Sequence, residues 1–209
     1  NALVLRTEHG NIFHTGDWKF DPDPMIGPAA DEARLKEVGD EGILAMVGDS
    51  TNVFKSGVSG SEGELRQSLI ELIGNCPQMV AVATFASNVA RIETIAYAAK
   101  AHNRKIVLAG RSLWRIMRAA KESGYLQDIE FLDDRQASKY PRKDLLVLCT
   151  GCQGEPLAVT NKLAKGEHPN LRLVPGDTVI FSSKIIPGND KRIFRLFNQF
   201  VKMNVEVLT

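Results

Sequence analysis

The chain has 209 residues, of which 44% are hydrophobic and 24% charged, and its net charge at pH 7 is +1. This composition is typical of a globular protein with one large domain, or one domain and part of another. The small net charge does not by itself indicate nucleic-acid binding, although it is compatible with a local basic groove. No run of 18 apolar residues predicts a membrane span, and the first residues are not those of a signal peptide. Three cysteines, an odd number, indicate a reducing, cytoplasmic compartment.

The first 48 residues have the pattern of a small α+β layer. Two short strands are predicted at 2–7 and 11–15, joined by a turn, and a short helix is predicted at 31–38. The continuous apolar run at 42–47, GILAMV, predicts a buried strand that ends close to Asp49. These pieces therefore represent part of a layer that differs from the rest of the chain.

From residue 61 onward, short apolar runs alternate with helical patterns. The helices are predicted at 61–74, 90–102, 112–123, 157–165 and 190–202. The strands are predicted at 79–85, 105–109, 145–150, 178–182 and 205–208. This alternation predicts an α/β fold: a parallel, Rossmann-like sheet with helices on both faces.

Four of the predicted strands end in small polar residues, and each is followed by the start of a helix. The four endings are TFASN, AGRS, TGCQGEP and SSKIIPGN. Ligands collect at the carboxyl ends of parallel strands, and helix N-termini suit phosphate. Good turn and cap residues explain any one ending equally well, but Arg91, Arg111 and Lys184 lie nearby. With no GxGxxG or P-loop spacing, several dispersed phosphate contacts favour a polynucleotide.

Other candidate groups have simpler explanations. Cys149 and Cys152 form a CxxC that suits either a thioredoxin-type redox pair or one buried and one turn cysteine. Trp114 is expected in the core and Trp18 as a shield beside Asp17. The four histidines are His9, His14, His102 and His168, and no two of them have the spacing of a local metal pair. His102 suits the end of a helix, where a positive charge is favourable. His168 is expected to be solvated.

Six stretches taken together resemble one family. They are HTGDWKFDP, GDSTN, TFASNVARI, AGRS, CTGCQGEP and PGDTVIFSSKIIPGN, and they run along nearly the whole chain. Their order and spacing resemble ribonuclease J, the bacterial branch of the metallo-β-lactamase nucleases with a β-CASP domain. The resemblance implies that residues 1–52 are a piece of the metallo-β-lactamase core and that residues 53–209 are an incomplete β-CASP domain.

The resemblance also implies roles for particular residues. Asp17 matches an aspartate that bridges two metal ions, commonly zinc, and a carboxylate suits this position because each oxygen can reach one ion. Asp49 matches a catalytic-site carboxylate that hydrogen-bonds a histidine of the site. The strand ends match a wall that contacts RNA, and its residues here are Ser87, Asn88, Arg111, Gly151, Gln153, Gly154, Glu155, Ser182, Ser183 and Asn189.

The chain departs from the family in lacking HxHxDH and the other metal-ligand motifs. We therefore expect an internal segment that alone binds no catalytic zinc and cleaves nothing. The resemblance implies a full-length zinc-dependent ribonuclease that acts as a 5′-to-3′ exonuclease and an endonuclease in RNA processing and decay. It further implies that the partner is single-stranded RNA and that the full-length protein is a homo-oligomer. This segment alone can be a monomer. Two alternatives stay open: a non-catalytic RNA-binding module, and a nucleotide- or redox-cofactor enzyme on a doubly wound sheet.

Overall fold

The computed structural model describes residues 2–50, 53–54, 56–57 and 60–209. The chain forms two compact units, Asn1–Glu62 and Gly63–Thr209. Part of the GDSTN stretch, residues 51 and 52, lies outside the described residues. The domain assignment of residues 1–52 and 53–209 stays a prediction.

The first unit is built on a small mixed sheet. Strands β1 (Leu3–Thr7) and β2 (Gly10–His14) form the predicted hairpin, and β3 (Ala45–Val47) pairs with β2 in parallel. Helix α1 (Glu32–Asp40) begins after Asp31, whose carboxylate accepts a hydrogen bond from the Arg34 N–H at 2.9 Å. Asp31 therefore satisfies one of the free N–H groups of the first turn.

The prediction that β3 is buried was wrong. All three of its residues are exposed, and Met46 has 68% of its surface accessible. An apolar run is buried only where a second layer covers it. No such cover is present over β3 among the residues that the structure describes.

The second unit contains a six-stranded sheet in which all strands are parallel. The strands are β4 (Val80–Ala83), β5 (Lys105–Ala109), β6 (Leu132–Asp133), β7 (Leu145–Cys149), β8 (Thr178–Phe181) and β9 (Glu206–Leu208). Their order across the sheet is β6-β5-β7-β4-β8-β9. The helices are α2 (Glu62–Gly74), α3 (Val89–Ala101), α4 (Arg111–Glu122), α5 (Val159–Lys165) and α6 (Asp190–Lys202).

Helices cover both faces of this sheet, as predicted. Alternate residues of β4 belong to different cores: Val80 and Val82 pack in one, and Ala81 and Ala83 in the other. Buried residues of α2, α3 and α4 complete the first core, and those of α5 and α6 complete the second. A strand buried on both sides reads as a continuous apolar run, which is why these strands were visible in the sequence.

The segment between α4 and β7 was not predicted. It holds the two-residue strand β6 and two 3₁₀ helices, Asp134–Lys139 and Arg142–Asp144. A strand of two residues is too short to show an alternation, and 3₁₀ turns lack a helical apolar stripe.

Candidate nucleic-acid interface

The four polar strand ends lie side by side. Strands β5, β7, β4 and β8 are consecutive in the sheet, and because all are parallel their carboxyl ends meet at one edge. With strands about 4.8 Å apart, this edge extends over roughly 14 Å. The sequence predicted four separate junctions, and the strand order joins them into one surface.

An arginine links the loop after β4 to the loop after β8. The Asn88 side chain caps α3 by accepting a hydrogen bond from the Arg91 N–H at 3.0 Å. The Arg91 guanidinium donates to both the carbonyl oxygen and the hydroxyl of Ser182, each at 2.9 Å. Asn88 and Ser182 are half-buried, while Ser87 is exposed. Arg91 thus holds two neighbouring loops together, a role that the sequence alone did not indicate.

Gln153 organises the long loop between β8 and α6. Its side chain is buried, with 5% of the residue exposed. Its oxygen accepts from the Ile186 N–H at 3.0 Å and the Asn189 side chain at 3.2 Å. Its nitrogen donates to the Lys184 carbonyl oxygen at 2.9 Å and the Ser183 hydroxyl at 3.3 Å. Because its hydrogen-bonding groups already have these partners, Gln153 supports the surface from within.

Two glycines after β7 are required by close packing. Gly151 and Gly154 are buried and have φ of 109° and 73°. A Cβ on Gly151 would lie 2.0 Å from the Thr160 hydroxyl oxygen, and one on Gly154 would lie 2.8 Å from the Arg192 Cβ. Both backbone conformations are rare for residues with a side chain. Because they have no side chain, these glycines let the turn after β7 pack closely against Thr160 and Arg192.

The remaining predicted residues differ in accessibility. Arg111 and Glu155 are exposed, and Ser183 and Asn189 are half-buried. The Glu155 carboxylate accepts a hydrogen bond from the Gln153 N–H at 3.0 Å. Helices α4 and α6 begin at this edge without a side-chain cap, since neither Gly110 nor Asn189 provides one. Free N–H groups and exposed donors are the features that suit phosphate oxygens.

The thiols near this edge are buried. Cys149 and Cys152 are free cysteines with 0% and 2% exposure. Burial raises the pKa of Cys149 to about 12, and burial is also the main cause that raises the pKa of Cys152. Both therefore remain protonated at neutral pH, whereas a redox pair needs a reactive thiolate. The interpretation as one strand-end and one turn cysteine fits this geometry.

Two single-residue expectations were wrong. Trp114 was expected in the core, yet 36% of it is exposed, because Leu113 and Met117 occupy the stripe of α4 that faces the sheet. His168 was expected to be solvated, yet its side chain is only 5% exposed. Its Nδ1 accepts hydrogen bonds from the N–H groups of Asn170 and Leu171, which fold the loop around the ring.

The loop of the first unit that carries Asp17 is organised by its neighbours. Asp17 is exposed, and Trp18 donates from its ring nitrogen to the Asp49 carbonyl oxygen at 3.3 Å. The Thr15 hydroxyl accepts from the Asp49 N–H at 3.3 Å, and the His14 Nδ1 accepts from the Gly16 N–H at 3.0 Å. The stretches around Asp17 and Asp49 are therefore hydrogen-bonded to each other.

Asp21 has a structural role that the sequence did not reveal. Its carboxylate accepts from the backbone N–H groups of Asp23 and Glu62 and from the Lys19 ammonium. The Ser61 hydroxyl makes the largest contribution to lowering the pKa of Asp21 from its ordinary 3.8 to about 2, and the backbone N–H groups act in the same direction. Asp21 therefore holds its loop against Ser61 and the Glu62 N–H, within the first unit.

The described part of the chain offers few side chains that could bind a metal ion together. Among the residues that the structure describes, no three His, Cys, Asp or Glu side chains form a group that could hold an ion. Asp17 offers one exposed carboxylate, and structural or catalytic zinc needs at least three protein ligands. The described residues therefore do not fit a complete zinc centre.

Comparison with known proteins shows the family. The family model described as Ribonuclease J, beta-CASP domain, matches residues 77–200, which is more than half of the chain. The chain belongs to the ribonuclease J family. The matched region covers the four strand ends, so the surface described above lies within the β-CASP domain of ribonuclease J.

Individual ribonuclease J proteins match the whole chain. Proteins named Ribonuclease J from Sinorhizobium meliloti and Thermus thermophilus are 41% and 39% identical over 209 residues. The match covers 100% of this chain and 37% and 36% of those two proteins. Ribonuclease J of Corynebacterium glutamicum is 39% identical over 212 residues, with 29% of its length covered. The chain thus spans about a third of the length of these relatives. None of the helices in the described part of the chain is long and apolar enough to cross a membrane.

Proposed function

We propose that the protein containing this chain is a ribonuclease, and that this segment provides the surface on which single-stranded RNA lies. The observation that carries the proposal is the row of four adjacent strand ends inside a match to the β-CASP domain of ribonuclease J. Free helix N-termini, exposed hydroxyls and Arg111 offer donors to successive phosphates. Whole-chain similarity to proteins named Ribonuclease J supports RNA as the substrate.

The residues at this edge divide into two kinds in this proposal. Ser87, Arg111, Ser183 and Asn189 contact the strand: Ser87 and Arg111 are exposed, and the half-buried Ser183 and Asn189 lie in the loop before the uncapped start of α6. A second set holds these residues in place from within the fold: Asn88, Arg91, Gly151, Gln153, Gly154 and Ser182. Glu155 is negatively charged and fixes the turn after β7, so it does not bind phosphate.

Hydrolysis itself is assigned to the first unit. Asp17 is proposed as a zinc ligand and Asp49 as a positioning carboxylate, in a centre that needs further ligands and holds two ions. The 5′-to-3′ exonuclease and endonuclease activities, the cytoplasmic location and assembly into a homo-oligomer belong to the same proposal. The support is the similarity to ribonuclease J and the hydrogen bonds that join the two aspartate-bearing stretches.

Cleavage of end-labelled RNA by the longer protein tests the proposal. Asp17→Asn is expected to abolish cleavage and lower the zinc content from about two per chain. Asp49→Asn is expected to lower kcat about ten- to a hundredfold while zinc is retained, since it acts through another residue. Asp23→Asn, an exposed aspartate of the same loop, is the matched control. RNA binding without any cleavage by the wild-type protein would instead support a non-catalytic RNA-binding module.

A further inference from the structure

A groove of about 780 Å³ opens beside the strand ends of β5 and β7. We call it the α4–α5 groove. The first turns of α4, the start and middle of α5, and the end of β6 with the residue after it line the groove, together with the loop at His168. Gly110 and Thr150, which directly follow β5 and β7, also line it, so the groove adjoins the candidate RNA-binding edge.

Three cations line the α4–α5 groove and have no anionic partner among the described residues. The side chains of Arg111, Arg115 and Lys162 make no hydrogen bond or ion pair with any residue that the structure describes. Surface cations in folded proteins commonly lie near carboxylates, so three unpaired ones in one concavity raise the local positive potential. This is the local basic feature that a net charge of +1 hides.

The two carboxylates in the groove offset only part of this positive charge. Asp133 accepts from the Arg135 guanidinium at 2.7 Å. Asp134 accepts from the Asn170 side chain at 3.0 Å, and its other oxygen lies 3.6 Å from the His168 Nε2. Burial is the main cause that lowers the pKa of His168, so the ring is neutral at pH 7 and forms a wall of the groove. Arg135 offsets the charge of Asp133, whereas Asp134 stays negative because Asn170 and the neutral ring carry no charge. Three cations against this one carboxylate leave the groove with an excess of positive charge.

An aromatic side chain lies among these cations. Trp114 follows Arg111 by three residues on α4 and is 36% exposed in the groove. Leu157 and Pro169 add further apolar surface, and Leu157 is 89% exposed. A flat aromatic surface beside unpaired cations suits a ligand with a base and a phosphate, because bases stack on aromatic rings and phosphates pair with cations.

We propose that the α4–α5 groove is a nucleotide-binding site, with the phosphate held by Arg111, Arg115 and Lys162 and the base stacked against Trp114. The uncapped start of α4 adds free N–H groups on the phosphate side. The nucleotide is either one residue of the bound RNA strand or a free nucleoside 5′-phosphate. The first source rests on the proposed RNA-binding function, and the second does not.

Tryptophan fluorescence of the 209-residue chain tests this proposal. The chain has two tryptophans, so Trp18→Phe leaves Trp114 as the only one. This variant is titrated with AMP, with inorganic phosphate and with a short single-stranded RNA, while the anisotropy of labelled RNA reports strand binding separately. Binding in the groove changes the Trp114 emission, and AMP is expected to bind more tightly than phosphate because it adds the base.

A charge-reversal pair provides the matched comparison. The groove variant is Arg115→Glu with Lys162→Glu, and the control is Arg118→Glu with Lys165→Glu. All four side chains are on α4 or α5 and exposed, both pairs change the net charge equally, and the control residues do not line the groove. If the groove variant loses its fold by circular dichroism, Arg115→Gln with Lys162→Gln replaces it.

The groove variant is expected to lose the Trp114 fluorescence response and to bind RNA about tenfold more weakly than the control. Its slope of log K against log salt is expected to be less steep by roughly 1 to 2. A response to both AMP and RNA identifies a general nucleotide site, and a response to RNA alone identifies a strand subsite. RNA binding that leaves Trp114 emission unchanged and is equal in both variants would overturn the groove site but not the proposed function. An AMP response without RNA binding would overturn the RNA-binding surface but not the groove.

Discussion

Replacing Gln153 with methionine is expected to destabilise the surface at the strand ends. Methionine has nearly the same length, so the change removes hydrogen bonds without leaving a large cavity. Four bonds are lost, at 2.9 to 3.3 Å, to Ile186, Asn189, Lys184 and Ser183. All four partners lie in one loop between β8 and α6. The effect is therefore concentrated on the loop that supplies Ser183 and Asn189 to the proposed RNA surface.

The magnitude follows from the number of bonds. Each intramolecular hydrogen bond contributes about 1 kcal/mol net, and a buried backbone group left without a partner costs about 1 to 3 kcal/mol. The Ser183 and Asn189 side chains are half-buried and can partly turn to water, so the loss lies below the full sum. We expect about 2 to 4 kcal/mol in the free energy of unfolding, or roughly 10 °C in Tm for a unit of this size.

Urea denaturation and RNA anisotropy together test this prediction. Gln67→Met is the control, since Gln67 is exposed on α2 and its side chain donates a hydrogen bond to Glu71, which is also exposed. Gln153→Met is expected to lose stability and to bind RNA more weakly, and the control is expected to change by less than about 0.5 kcal/mol. A Gln153→Met chain that melts and binds RNA like the wild type would refute the role assigned to this side chain.

Three further changes have defined outcomes. Gly151→Ala is expected to cost at least about 2 kcal/mol, because its Cβ would lie 2.0 Å from the Thr160 hydroxyl oxygen at a φ of 109°; unchanged urea unfolding would contradict this. The Asp21 carboxyl is expected to titrate near pH 2 by NMR, and its contribution to stability is present above pH 3.8 and lost as the pH falls toward 2. Asp21→Asn should flatten this acid dependence of stability. An NMR titration midpoint near 3.8 would contradict the lowered pKa. Cys149 and Cys152 are expected to react with a thiol reagent only after unfolding, and rapid labelling of the native chain would restore the redox interpretation.

Sequence periodicity was sufficient to predict most strands and helices of the second unit. Strand β5 and helix α6 have the predicted bounds, Lys105–Ala109 and Asp190–Lys202, because each is a regular pattern with clear ends. The short strand β6 carried no such pattern. The exposure of β3 could not be predicted either, because burial depends on what covers an element.

Site prediction was limited by contacts between distant residues. The four polar strand ends could be located from the sequence, since small polar residues before helix starts are visible locally. The partners of Gln153 are 30 to 36 residues away, and strand β4 lies between β7 and β8 in the sheet. Only the strand order brings these loops together. For the same reason, the unpaired cations of α4 and α5 could not be recognised as one groove.

The most direct measurement of the central claim is the affinity of the 209-residue chain for labelled single-stranded RNA at a series of salt concentrations. We expect binding that weakens linearly on a log–log plot, with a slope of roughly −0.7 for each phosphate that a lysine or arginine neutralises. The three cations at this edge, Arg111, Arg115 and Lys162, predict a slope of about −2. No binding, or binding that does not change with salt, would contradict the assignment of this edge as an RNA-holding surface.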